Sequence, residues 1–220
     1  MTKYLILFQC SHQMERKLSS PPTGTMEEHI IQICLWQIGS INLFLESMIN
    51  IKTNVTSTKE EVMRSIERYL SEVELTIASR DFSRPWGGFF VIDETLADRF
   101  IKLYFPHLKV SDLTIAGKLS PKILVVAPTQ RLSWQYHHRR AEIWKLISGV
   151  AGVVTSETDT EGPLKKLQMG EIIQLKQGQR HRLVGLSDGW GVIAEIWRHT
   201  DAKNPSDEND IVRVQDDFGR

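Results

Sequence analysis

Leu132-Ser133-Trp134-Gln135-Tyr136-His137-His138-Arg139-Arg140-Ala141-Glu142-Ile143-Trp144 holds the densest group of metal-competent side chains in this sequence. Side chains alternate faces along a strand. Gln135 and His137 therefore share one face, and Trp134 and Tyr136 share the other. A turn over 138–141 lets Glu142 open the next strand and face the same interior. His138 has the opposite parity and points outward. His181, within Gly178-Gln179-Arg180-His181, can join from a third strand. An amide oxygen, two imidazoles and a carboxylate converging inside a barrel suit Zn2+ or another divalent first-row ion. The ligand set expected is Gln135, His137, Glu142 and His181.

The flanking text supports a barrel. Runs at 89–93, 100–105, 123–127, 132–137, 142–148, 152–156, 171–175, 181–185 and 192–197 are short, rich in Val, Ile and aromatics, and often separated by Gly, Pro, Asp or Ser. Many short strands with no helices between them predict an all-β sandwich or barrel. Upstream, Ser57-Thr58-Lys59-Glu60 fits a capping box with Ser57 as the cap. Val62, Ile66, Tyr69, Val73 and Ile77 follow at helical spacing. The prediction is an amphipathic helix within 56–80, ending near Ser79 and covering a sheet. Trp134 and Tyr136 are expected beneath this helix or a second subunit.

Residues 1–55 read differently. Ser19-Ser20-Pro21-Pro22-Thr23-Gly24 is a breaker cluster, and the apolar stretch 30–49 has no clean period. An extension of unknown role is expected here, either accessory or poorly ordered; a biological start at Met26 or Met48 is the other reading. The expected organisation is an extension over 1–55, the helix within 56–80 and the barrel over 81–220.

Composition excludes several classes of partner. Of 220 residues, 27 are Lys or Arg and 27 are Asp or Glu. No global positive field gathers a polyanion, so nucleic acid is not expected as the main partner. Gln32, Gln37, Asn42 and Glu46 interrupt the stretch 30–49 and are costly in hydrocarbon, so no membrane span is expected. Cys10 and Cys34 cannot make a multi-bridge framework, which points to a reducing, cytoplasmic setting.

The spacing resembles the cupin superfamily. Its first motif is Gly, five residues, His-x-His, three or four residues, Glu, six residues, Gly; here it runs Thr129, Gln135-x-His137, Glu142, Gly149. Its second motif is Gly, five residues, Pro-x-Gly, two residues, His, three residues, Asn; here it runs Gly170, Lys176-Gln177-Gly178, His181, Gly185. The intervals hold while Thr129, Gln135, Lys176 and Gly185 differ in identity. The Gln-x-His pair is similar to that of phosphomannose isomerases. The chain also resembles the C-terminal domain of the type II enzymes, which join a mannose-1-phosphate guanylyltransferase to a mannose-6-phosphate isomerase. Arg84-Pro85-Trp86-Gly87, the block 132–144, Gly178-Gln179-Arg180-His181-Arg182-Leu183, Asp210-Ile211-Val212-Arg213 and Asp216-Asp217-Phe218-Gly219-Arg220 carry it over about 84–220. No Gly-rich nucleotide-binding segment precedes residue 84, so the nucleotidyltransferase half is not expected. Arg139 stands where the type II block has a third His, and Ile143 replaces another His. The four-residue gap to Glu142 counts from His137, so Arg139 is not expected in the ligand set.

This resemblance implies a cupin jelly roll and metal-dependent aldose–ketose isomerisation of a phosphosugar, mannose 6-phosphate to fructose 6-phosphate. Arg140 and Arg213 are expected at the mouth, gripping the phosphate, with Arg180 and Arg182 as surface charges or further candidates. Glu195 and Arg140 are the candidate catalytic groups, with Glu195 as the proton carrier. The alternatives are an isomerase of another phosphosugar, such as a heptose phosphate, and a non-catalytic cupin that binds a sugar phosphate. A homodimer is a further expectation.

Overall fold

The computed structural model describes residues 51–115 and 117–219. The expected extension lies outside the described residues as far as residue 50. Its last residues belong to the barrel instead. Ile51 is buried in the core, the Thr53 carbonyl accepts from the Trp190 amide at 2.8 Å, and Asn54 bridges Gly189.

The leading helix, α1 (Lys59–Glu72), is capped one residue later than its sequence suggests. Thr58 accepts from the Glu61 amide and Glu61 returns a bond to the Thr58 amide, a complete capping box. The Ser57 hydroxyl instead donates to Asn54 Oδ1 at 2.9 Å. The helix also stops sooner than the expected range within 56–80. Glu74 takes a left-handed φ of 57°, and Ile77 opens β1 (Ile77–Asp81), paired with Ile92. Val62, Ile66 and Tyr69 keep their inward face.

Ten more strands follow: β2 (Gly87–Ile92), β3 (Lys122–Val126), β4 (Trp134–Tyr136), β5 (Arg140–Gly149), β6 (Ala151–Ser156), β7 (Lys165–Lys166), β8 (Ile172–Leu175), β9 (Arg180–Gly185), β10 (Gly191–His199) and β11 (Val212–Gln215). One expected strand is a helix. Residues 100–105 fall in α2 (Ala97–Tyr104), followed by the short α3 (Val110–Leu113). Ala97, Phe100, Ile101 and Tyr104 are its buried residues, at helical rather than strand spacing. The aromatic and β-branched content of this run conceals that period. The Tyr104 hydroxyl donates to the Tyr69 hydroxyl at 3.1 Å, tying α2 to α1.

The strands form two antiparallel sheets, with orders β1-β2-β3-β10-β5-β8 and β11-β4-β9-β6-β7. They face each other as the cupin jelly roll, an all-β fold with helices added outside. Alternation along β3 and β10 separates two cores. Ile123, Val125, Val192, Ala194 and Ile196 pack with the helices on the outer face. Leu124, Val126 and Ile193 point between the sheets, with Trp144, Leu146, Val153 and Leu183. The helices thus cover the six-stranded sheet and not Trp134, which lies in the other sheet. The Trp134 indole instead donates to the Asp159 carbonyl at 2.7 Å, and Arg180 stacks 4.2 Å over Tyr136. Among the described residues, no helix is long and apolar enough to cross a membrane.

Two departures from the cupin motifs have local causes. A Cβ at Gly185 would lie 1.9 Å from the Ala127 carbonyl oxygen, so the asparagine of the motif does not fit. Thr129, at a motif glycine, keeps glycine's backbone with φ of 62°, a strained state for a β-branched residue. Thr129→Gly should therefore raise stability by about 1 kcal/mol, the strain released less the entropy glycine adds. Thermal unfolding checks this; a melting temperature that falls would contradict it.

Candidate metal centre

The register of the strands assembles the site. Gln135 on β4 pairs with His181 on β9, and Glu142 on β5 lies on the inward face with Trp144. His137 follows β4 directly. His137, Glu142 and His181 are all at least 98% buried. Among the described residues, they form the group of three histidine, cysteine or acidic side chains whose ligand atoms lie within 4.8 Å of one another. His137 Nε2 is 3.1 Å from Glu142 Oε1, and His181 Nε2 is 3.3 Å from Glu142 Oε2.

The ring nitrogens are assigned by their partners. His137 Nδ1 lies 2.5 Å from the Asp210 carbonyl, and His181 Nδ1 lies 2.9 Å from the Gln179 carbonyl. A carbonyl only accepts, so each Nδ1 carries a proton. In the neutral rings, each Nε2 then turns a lone pair toward Glu142. Burial lowers the pKa of His137, against the pull of Glu142, and keeps the ring neutral near pH 7. Burial also works to raise the Glu142 carboxyl, but the positive charge facing it, that of any proton on His137 and the permanent one of Arg140, prevails and holds it well below the ordinary range. Glu142 Oε2 and His181 Nε2 have no hydrogen-bond partner. Two unsatisfied buried acceptors facing each other are costly without a cation between them. The residues therefore fit a divalent metal of the borderline class, with nitrogen and oxygen donors and oriented imidazoles.

Gln135 faces the same cavity, and its Oε1 accepts from Ser133 Oγ at 2.6 Å. Glu195 also faces inward, a direction its strand parity alone left open. Its Oε1 accepts from the Trp144 indole at 2.9 Å. Burial, then the Glu142 charge, pushes its pKa to about 8.

Arg140 lies deeper than the mouth position expected of it. It is 4% exposed and stacks 3.6 Å over Trp197. Its Nε donates to Glu142 Oε1 at 2.8 Å, and its Nη1 donates to Ser206 Oγ at 2.8 Å. Arg213 is exposed and lines the rim with Arg84. Arg139 turns away to Asn204 and Asp207, outside the ligand set, as the motif spacing implied. Arg180 and Arg182 sit on the opposite face of β9 from His181, held by Asp159 and Glu161. His138 is exposed.

Sequence reasoning missed Lys122. It is buried at the start of β3 on the same face as Leu124 and Val126, stacked 3.7 Å over Trp197 and paired with Glu208. A lysine in register with a buried apolar face was the available signal.

Comparison with known proteins gives the family. A family model described as "Mannose-6-phosphate isomerase C-terminal" matches residues 93–216, more than half of the chain. The chain belongs to this family. The mannose-1-phosphate guanylyltransferase of Escherichia coli K12 is 29% identical over 119 residues, which is 54% of this chain and 23% of that protein. The xanthan biosynthesis protein XanB of Xanthomonas campestris is 29% identical over 54% of this chain and 24% of its own length. This chain thus spans about a quarter of these curated relatives. Among solved structures, the capsular polysaccharide assembling protein CapF of Staphylococcus aureus is 14% identical, with TM-score 0.42, over 64% of this chain and 34% of its own. A Cupin 2 conserved barrel domain protein of Salinispora arenicola is 27% identical, with TM-score 0.33, over 41% of this chain and 69% of its own.

The position of Glu195 makes stability depend on pH. Its pKa rises on folding, from 4.5 to about 8. Its contribution to stability is therefore full below pH 4.5 and is lost as pH rises through about 8. In metal-free protein, Glu195→Gln should melt like the parent at pH 5 and at least ~3 °C higher at pH 9, the response of such a domain to about 1 kcal/mol. Parallel melting curves across that range would contradict the assignment.

Proposed function

We propose that this chain is a metal-dependent phosphosugar aldose–ketose isomerase acting on mannose 6-phosphate and fructose 6-phosphate. The observation that carries this reading is the pairing of two unsatisfied ligand atoms, Glu142 Oε2 and His181 Nε2, with the buried Glu195 carboxyl in one cavity. Gln135, His137, Glu142 and His181 would hold the ion, Zn2+ or another divalent first-row metal. The ion would polarise the sugar carbonyl and its neighbouring hydroxyl.

The chain's own groups do the rest. Glu195 carries the proton between C1 and C2, since its carboxyl is buried on the same cavity, where its surroundings push its pKa up from the ordinary carboxylate range. Trp144 fixes one of its oxygens and leaves the other for the substrate. Arg213, with Arg84 and Lys122 on the same cavity, binds the phosphate, so that remote binding energy orients the reacting carbons. Arg140 holds Glu142 in place from beneath the sugar. The proposal includes a cytoplasmic setting and a homodimer, with no nucleic-acid or membrane partner. A heptose phosphate isomerase would use the same groups with a different pocket.

One contact favours a second reading, a non-catalytic cupin that binds a sugar phosphate. Arg140 Nη2 lies 3.2 Å from His137 Nε2, where it already supplies that ligand with a cation. A coupled assay with mannose 6-phosphate separates the two readings. The isomerase reading expects turnover that EDTA abolishes and Zn2+ restores, with a loss of about 100-fold or more in Glu195→Gln. Protein that binds metal yet turns over no hexose or heptose phosphate would contradict it and leave the binding module.

A further inference from the structure

The loop between β10 and β11 touches the ligand set from behind. Asp210 is its centre. Its carboxylate accepts from the amides of His138 at 3.0 Å and Arg139 at 2.9 Å, and from the Ser206 hydroxyl at 2.7 Å. Those bonds seal the turn that joins β4 to β5. They also bring the Asp210 carbonyl onto His137 Nδ1 and within 3.4 Å of Arg140 Nη1. Ser206 extends the same link, because its hydroxyl accepts from Arg140 while donating to Asp210. The loop is itself anchored. The Ser206 amide donates to His199 Nδ1 at 3.0 Å, and the Thr200 amide donates to the Arg139 carbonyl at 3.0 Å.

We propose that Asp210 is a positioning residue for the metal centre: its side chain locks the turn after β4, and its carbonyl fixes His137 as the Nδ1-protonated tautomer, with the Nε2 lone pair turned into the site. Without the carboxylate, two turn amides lose their acceptor and the carbonyl is no longer held against the ring. His137 can then turn or change tautomer, and one ligand is lost from a preorganised set. The inference rests on the metal reading of the site, and its test separates the two.

The test uses the full 220-residue chain with Co2+ as the probe, read by its visible ligand-field spectrum and by titration. Nitrogen-15 NMR of the metal-free protein reports the His137 tautomer. The parent should bind Co2+ and show the Nδ1–H form. Asp210→Ala should weaken Co2+ binding ~10–100-fold, the usual effect of losing an outer partner of a ligand. It should also alter the visible bands and mix the tautomers, while the far-ultraviolet spectrum keeps its sheet signature. Ser206→Ala, which leaves the carboxylate in place, should fall between the two. If Asp210→Ala does not fold, Ser206→Ala decides: affinity and tautomer equal to the parent overturn the proposal. Asp210→Ala that folds and matches the parent in both readouts overturns it as well. A parent that binds no Co2+ refutes the metal reading and, with it, this role.

Discussion

Glu142 is an ionised carboxylate 2% exposed to solvent, and such a group persists in a protein interior only where cations and donors surround it. The arrangement of the centre follows from that constraint. Arg140 supplies one charge from the same strand, two residues away. It satisfies one oxygen and leaves the other facing His181 without a partner. A divalent ion answers both that oxygen and the two imidazole lone pairs. Arg140 and such an ion would therefore act on the same carboxylate.

The fold supplies what this arrangement requires. Three neighbouring strand segments bring Gln135, His181 and Glu142 inward, and the outer face of the six-stranded sheet is closed by helices through a separate apolar core. The cavity is lined by aromatic side chains, Trp86, Phe89, Trp144 and Trp197, together with the cations Arg84, Lys122 and Arg213. Burial is what raises Glu195 while its neighbour Glu142 stays charged. Two carboxyl groups in one cavity are pushed apart in pKa by their surroundings: Arg140 helps hold Glu142 down, while burial and the Glu142 charge push Glu195 up against the indole bond that lowers it.

Much of this was legible in the sequence because strand alternation is rigid. The spacing allowed Gln135, His137, Glu142 and His181 to face one interior, and the structure brings His137, Glu142 and His181 together with Gln135 on the same cavity. What escaped depended on competition that local patterns do not encode. Ser57 and Thr58 both suit a cap, and the structure uses Thr58, with the Ser57 hydroxyl turned to Asn54. Residues 100–105 look like a strand until Ala97 is counted with them. Arg140 was expected at the mouth as a phosphate anchor, whereas its partners Ser206 and Asp207 come from a loop more than sixty residues away and hold it in the interior. Asp210 stood in plain view within a family-matching block, yet its bonds to the turn at 138–139 are a tertiary fact.

The most direct test of this account is the anomalous X-ray scattering of crystals grown with Zn2+, measured on both sides of the zinc absorption edge. The account predicts one strong peak about 2.0–2.2 Å from Nε2 of His137, Nε2 of His181 and a carboxylate oxygen of Glu142, with Arg140 moved off His137. No peak there, with the guanidinium still seated against both His137 and Glu142, would contradict it.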